Sequence, residues 1–259
     1  MGAEMRIAYR SPETASAYLA ESLRLTTELN EPGLLPSILI ELGNARAQQG
    51  DLDGAVASFR ELVVRAEQTG NDFNQALGYN NLAYHVLLQG DHVAARTAVE
   101  AGIALATERD LPLARTWLYS TSGEIALAEQ HWDAATAALQ QAVAEAERFG
   151  NTEHIIGCRV NLALAEYGRG NRTAARQMLV DVEHDASSVP EAYLHFQIAY
   201  WLGVLLPEHE ATETPADVLR RAAQELRAGE FIRMQRWLTC LQGLAVLPHS
   251  AMPPAKPHA

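Results

Sequence analysis

The chain has 259 residues, a formal charge of -12 and an apolar content of 48%. That charge excludes nucleic-acid phosphates as a main partner, because backbone binding needs clustered cations, and no run of about 18 uncharged apolar residues offers a membrane span. Lys256 is the only lysine and stands in a Pro-rich tail, so the lysines of phosphate-loop, Schiff-base and kinase chemistry are missing from the folded part.

Three registers run the length of the chain at a spacing of 40 residues. The first holds small residues, Gly43, Ala83, Gly123, Ala163, Gly203 and Gly243. The second is Ala15, Ala55, Ala95, Ala135 and Ala175. The third is apolar, with Leu19, Phe59, Val99, Leu139, Leu179 and Leu219. Registers locked together in this way mark an array of one supersecondary unit, which stacks into a solenoid.

Taken in order, 1–29 reads as an incomplete first unit, because Ala3 occupies the small position of a first helix and 12–29 supplies the second. Such an opening suits a piece of a longer array or a natural half-helix cap. An uncovered apolar face there predicts self-association. The opening residues carry no apolar signal region and no myristoylation motif. The unit 30–70 is the clearest. Leu39, Leu42 and Gly43 lie on a first helix, Gly50-Asp51 forms the turn, and Ala55 and Phe59 lie on a second helix. Gly50 suits a left-handed helix stop and Asp51 a helix cap. The units 71–110, 111–150 and 151–189 repeat this with Gly90-Asp91, Gln130-His131 and Gly170-Asn171 at the turn. The unit 190–229 diverges. Pro207 ends its first helix, Glu208 to Thr214 form an acidic loop, and Pro215 opens the next helix. A closing helix spans 230–247, and 248–259 reads as a disordered tail.

The Leu-Gly and Ala-x-x-x-Phe spacings resemble the tetratricopeptide repeat over nearly the whole chain. The period of 40 departs from the usual 34, and the family's proline near the end of the second helix is absent. Leu42-Gly43-Asn44 and Asn80-Asn81-Leu82-Ala83 are similar to the long-period repeats of Leu-Gly-Asn scaffold proteins, kinesin light chains and the sensor arms of bacterial signal-transduction ATPases. The resemblance implies an all-α, right-handed tetratricopeptide-like α-solenoid whose first helices line a concave face.

On that face the candidate groove is Asn44, Asn80, Asn81, Tyr84, Trp117, Glu124, Asn161, Tyr167, Tyr200 and Trp201, with Glu41, Gln48, Ser120, Thr121 and Trp237 beside them. An asparagine amide can both donate to and accept from an extended peptide backbone. It can equally tie neighbouring helices together. Trp117 and Trp201 suit packing between helices as well as ligand contact. The histidines show no metal-ligand spacing, no catalytic triad is readable, and Arg220-Arg221 and Arg233 with Arg236 read as a small basic patch with a surface role. Neither a metal nor a cofactor is expected. Cys158 and Cys240 fit reduced thiols in a cytoplasmic protein. Two functions compete. One is a non-enzymatic scaffold or sensor module binding a peptide or partner segment in the groove. The other is the ligand-sensing arm of a larger bacterial transcriptional regulator, binding a small molecule.

Overall fold

The fold is described for residues 12–206 and 213–241 of a computed structural model. The first-unit position Ala3, the ladder residue Gly243, the Pro207 helix stop, most of the acidic loop, Lys256 and the tail 248–259 lie outside the described residues. Among those described there is no strand. Twelve α-helices follow one another: α1 (Pro12–Glu28), α2 (Leu35–Gln49), α3 (Leu52–Gln68), α4 (Asp72–Leu88), α5 (His92–Glu108), α6 (Pro112–Ala128), α7 (Trp132–Phe149), α8 (Thr152–Gly168), α9 (Arg172–Ala186), α10 (Ala192–Leu205), α11 (Pro215–Glu225) and α12 (Ala228–Cys240). A 3-10 turn, Pro32–Leu34, precedes α2. No described helix is long and apolar enough to cross a membrane.

Starts and stops follow the local chemistry. Gly50 sits at φ 84°, the left-handed conformation that closes α2. The Asp51 carboxylate then accepts from the Gly54 amide at 2.9 Å and opens α3. Asn71, Asp91 and Asn151 cap α4, α5 and α8 in the same way, at 3.1, 3.0 and 3.2 Å, each such cap being worth roughly 1 kcal/mol. The turn between α6 and α7 differs. Gln130 adopts φ 61° without being glycine, and His131 makes no capping bond.

Each first helix packs antiparallel to its second across the small-residue positions. A Cβ built on Gly43 would lie 2.5 Å from the Phe59 ring, and one on Gly123 would lie 2.5 Å from Leu139. The aromatic or leucine of the third register therefore rests on bare backbone. Ala55, Ala83, Ala95, Ala135, Ala163 and Ala175 are fully buried, as are Phe59, Leu139 and Leu179. These contacts recur from α2 to α9 and give a large apolar cluster from Leu52 onward and a smaller one of Leu39, Ala55, Phe59 and Leu62, with partly buried Leu82 packed against both.

The last helix does something that the repeat pattern does not foretell. Helix α12 leaves α10 and α11, crosses the concave side and packs against α2 and α4. Its first turn meets the final carbonyls of α2, where Gly229 lies against the Gln48 backbone and Ile232 covers Gly50. The positive end of one helix dipole thus faces the negative end of another. At its far end the Cys240 thiol donates to the Leu87 carbonyl of α4 at 3.3 Å. The array is therefore bent round until its last described helix bridges back to its first two complete pairs.

Candidate functional site

Between the first helices and α12 lies one chamber of about 620 Å³. Helix α2 supplies Glu41, Asn44 and Gln48. Helix α4 supplies Asn80, Asn81, Tyr84 and His85, and α6 supplies Trp117, Ser120, Thr121 and Glu124. Helix α8 adds His154, Cys158 and Asn161, α10 adds Tyr193 and Gln197, and α12 adds Gly229, Glu230 and Arg233. The predicted residues Asn44, Asn80, Asn81, Tyr84, Trp117, Glu124 and Asn161 are thus brought to one wall. Their spacing along each helix keeps them on the face opposite the small-residue register.

Tyr167, Tyr200 and Trp201 do not line the chamber, and neither does Trp237. Tyr200 and Trp201 are 1% and 0% exposed and meet edge to face with ring centroids 5.3 Å apart. Helix α10 is apolar over most of its surface, and a helix of that kind is covered on more than one side; here α9, α11 and α12 do the covering, while His195 stays exposed and Gln197 faces the chamber. Trp237 is buried on α12. Tyr167 stacks under the Arg172 guanidinium at 5.3 Å, next to the α8–α9 turn. Arg233 is a second correction. It belongs to the interior, facing the chamber, while Arg236 is exposed. The fold-back of α12 separates the two, and no feature of the local sequence signals it.

Several of the wall's polar groups already have partners. Thr121 donates to the Asn80 carboxamide oxygen at 2.9 Å, and the Asn80 amide donates to Asn81 at 3.3 Å. The Asn161 amide donates to Glu124 at 3.1 Å. These bonds tie α4 to α6 and α6 to α8. The Asn80 side chain is thus committed at both ends, its oxygen to Thr121 on α6 and its amide to Asn81 on its own helix, whereas Asn81 keeps partial exposure to the chamber.

Burial sets the charge states. It pushes the Glu124 carboxyl up to about 7, against the opposing pull of the Asn161 hydrogen bond. It pushes His85 down to about 4, so that this imidazole is neutral. A carbonyl can only accept, so Nδ1 of His85 carries the proton that reaches the Asn81 oxygen 2.7 Å away. The Cys158 sulfur lies 3.6 Å from Nε2 of His154, a spacing that in a nucleophilic enzyme would activate the thiol. Here burial pushes the thiol up to about 12 and the imidazole down. The pair is a neutral thiol beside a neutral imidazole, with the Trp117 ring tilted against the imidazole at 4.2 Å between centroids. Among the described residues no group of three or more ligating side chains could hold a metal ion.

The Glu124 environment has a consequence for stability. Its folded value lies above the unfolded reference of 4.5, so the folded state holds a proton that the unfolded state releases. Stability from this group is fully present below about pH 4.5 and is lost as the pH rises toward about 7. Glu124→Gln, which keeps an oxygen for Asn161, is expected to match the parent at pH 4.5. At pH 8 it should be more stable by about 1–2 kcal/mol, the scale of a shift damped by residual solvent. Urea midpoints of both proteins across this range check it, and parallel curves would show that Glu124 titrates normally.

No protein-family model matches the sequence, and none of the curated proteins is a match. Solved structures do match. The chain is similar to BtubC (BKLC) from P. vanneervenii, at 17% identity over 97% of this chain and 96% of that one, with a TM-score of 0.61. It is also similar to kinesin light chain nearly identical TPR-like repeats from Podosopora anserina, at 16% identity over 82% of this chain and 97% of that one, with a TM-score of 0.49. The first likeness, together with the helix order, establishes the fold as a right-handed tetratricopeptide-like α-solenoid.

Proposed function

Starting from a tetratricopeptide-like solenoid closed by its own last helix, we propose that the chain is a non-enzymatic binding module, a scaffold or sensor that takes a short peptide segment into its concave chamber. The observation that carries this is the convergence of amide, aromatic and carboxyl side chains from five first helices on one space of about 620 Å³. A half-open cleft of this size is too small for a folded domain and falls within the range of about 300–1,000 Å³ found for compact ligand sites. A segment lying along the whole groove would have to displace α12, so the module holds a short stretch. Asn81 offers hydrogen bonds to its backbone, and Tyr84 and Trp117 offer apolar walls. The chamber carboxylates favour a neutral or mildly basic segment. The free thiols Cys158 and Cys240 suit a cytoplasmic setting.

The closure by α12 also favours a second reading, the small-molecule-sensing arm of a larger bacterial transcriptional regulator. Titration with a mixed-sequence tetrapeptide library, followed by ligand-detected nuclear magnetic resonance, tests the first reading against the second. Peptides that bind the parent protein should bind Asn81→Ala more weakly by about 1–3 kcal/mol, the scale of a polar group left unpaired. Peptide binding that is indifferent to both Asn81→Ala and Trp117→Ala would place the site outside the chamber.

A further inference from the structure

Arg233 stands out in the chamber because no described carboxylate contacts it directly. Its Nε is buried and has no hydrogen-bond partner. No carboxylate among the described residues lies within ion-pair distance of it, whereas the neighbouring Arg227 is paired with Glu230. The guanidinium carbon lies over the Tyr193 ring, 3.6 Å from its centroid, which holds the group in place. Burial works against the charge, but the surrounding Tyr193, Tyr84, Glu191 and Glu230 outweigh it, so the group stays cationic. The side chain's remaining exposure is toward the chamber it lines. Among the described residues the first helices contribute no arginine or lysine to that lining. A buried guanidinium whose Nε is unbonded and whose charge no described carboxylate pairs at contact distance is costly to keep, and its planar fork of donors matches a carboxylate in two parallel hydrogen bonds.

We propose that Arg233 is the anchor for a carboxylate on the ligand, so that the chamber recognises the free C-terminal end of a short peptide or a small organic acid and not an internal peptide segment. The inference rests on the reading of the chamber as the binding site and sharpens what enters it. Glu41, Glu153 and Glu191 around the same space repel a ligand with several negative charges. One carboxylate on an otherwise neutral or basic body satisfies both sets of groups. Because the anchor sits on α12, the ligand would also join that helix to the first helices.

The full chain is titrated with three probe sets: mixed-sequence tetrapeptides with free C-termini, the same library amidated at the C-terminus, and a panel of small aliphatic and aromatic monocarboxylates. The expected result is binding by the free-carboxylate peptides or by the monocarboxylates, which tells the two sources apart. Amidation should weaken peptide binding by about 10–100-fold, the factor for a hydrogen bond to a charged group. Arg233→Lys keeps the charge and loses the fork, and it should weaken the bound probe by roughly tenfold with the fold intact by circular dichroism. Arg236→Gln, at the exposed arginine on the same helix, should leave binding unchanged. Equal affinity for free and amidated peptides, or an Arg233→Lys protein that binds as tightly as the parent, overturns the anchor. The chamber reading survives that outcome as long as Asn81→Ala still weakens the peptides. Binding by none of the three probe sets overturns both.

Discussion

Trp201→Ala is expected to remove about 3–5 kcal/mol of stability, the cost of deleting a large aromatic from a packed core. The side chain is 0% exposed and meets Tyr200 edge to face, so its truncation leaves a cavity that α10 cannot close without moving α11 or α12. Trp117→Ala is the informative comparison. Trp117 is partly exposed to the chamber and touches His154 on one side, so the same truncation should cost markedly less stability while disturbing ligand binding. Urea denaturation of the two variants decides the matter. A Trp201→Ala protein that loses less than about 1 kcal/mol would mean that the Trp201 side of α10 is not covered, and Trp201 would return to the list of contact residues.

The contrast between these two tryptophans shows which parts of the molecule were legible in the sequence. The repeat unit was legible because its determinants are local. Gly50 and Asp51 are adjacent, and Gly43 meets Phe59 within one helix pair. The same holds for the chamber wall on α2, α4, α6 and α8, because a helix that commits one face to its partner exposes the opposite face to the groove. Tyr200 and Trp201 escaped that rule. Their helix is apolar but for His195 and Gln197, and the apolar stretch from Ile198 to Leu205 was itself a sign of burial from several directions. Arg233 was not legible at all. Its environment is made by α4 and α10, and the contact that seats its helix, from Cys240 to Leu87, spans 153 residues. No periodicity in a repeat array encodes a contact between its last described helix and its first two complete pairs.

The amide ladder lies between these cases. Its position on the concave face followed from the repeat, but its use did not. Asn80 and Asn161 turn sideways along the wall and bond to Thr121 and Glu124 on the neighbouring first helices. Buried amides in a low-dielectric wall must find partners, and the adjacent repeat offers them before any ligand arrives. The consequence is a wall that is held in shape in advance. That lowers the ordering cost of binding and leaves recognition to Asn81, Tyr84, Trp117 and the cation on α12.

Gly229→Ala is expected to unseat α12 and to destabilise the protein by about 1–3 kcal/mol, the range for overpacking a tight contact. Helix propensity alone gives the opposite sign, because alanine is favoured over glycine inside a helix by about 1 kcal/mol. What decides is the neighbour. A Cβ at this position would run into the carbonyls of Gln48 and Ala47, and backbone cannot swing aside as a side-chain tip can. Gly157→Ala on α8 is the control, since nothing lies within 4 Å of a Cβ built there. It should gain roughly 0.5–1 kcal/mol. Urea midpoints give the energies. Hydrogen exchange gives the location, with protection lost in α12 and at the ends of α2 and α4 in the Gly229 variant, while α6 and α8 stay protected. A Gly229→Ala protein stabilised as much as Gly157→Ala, with α12 still protected, would mean that the last helix does not rest on α2, and the chamber would lose its roof.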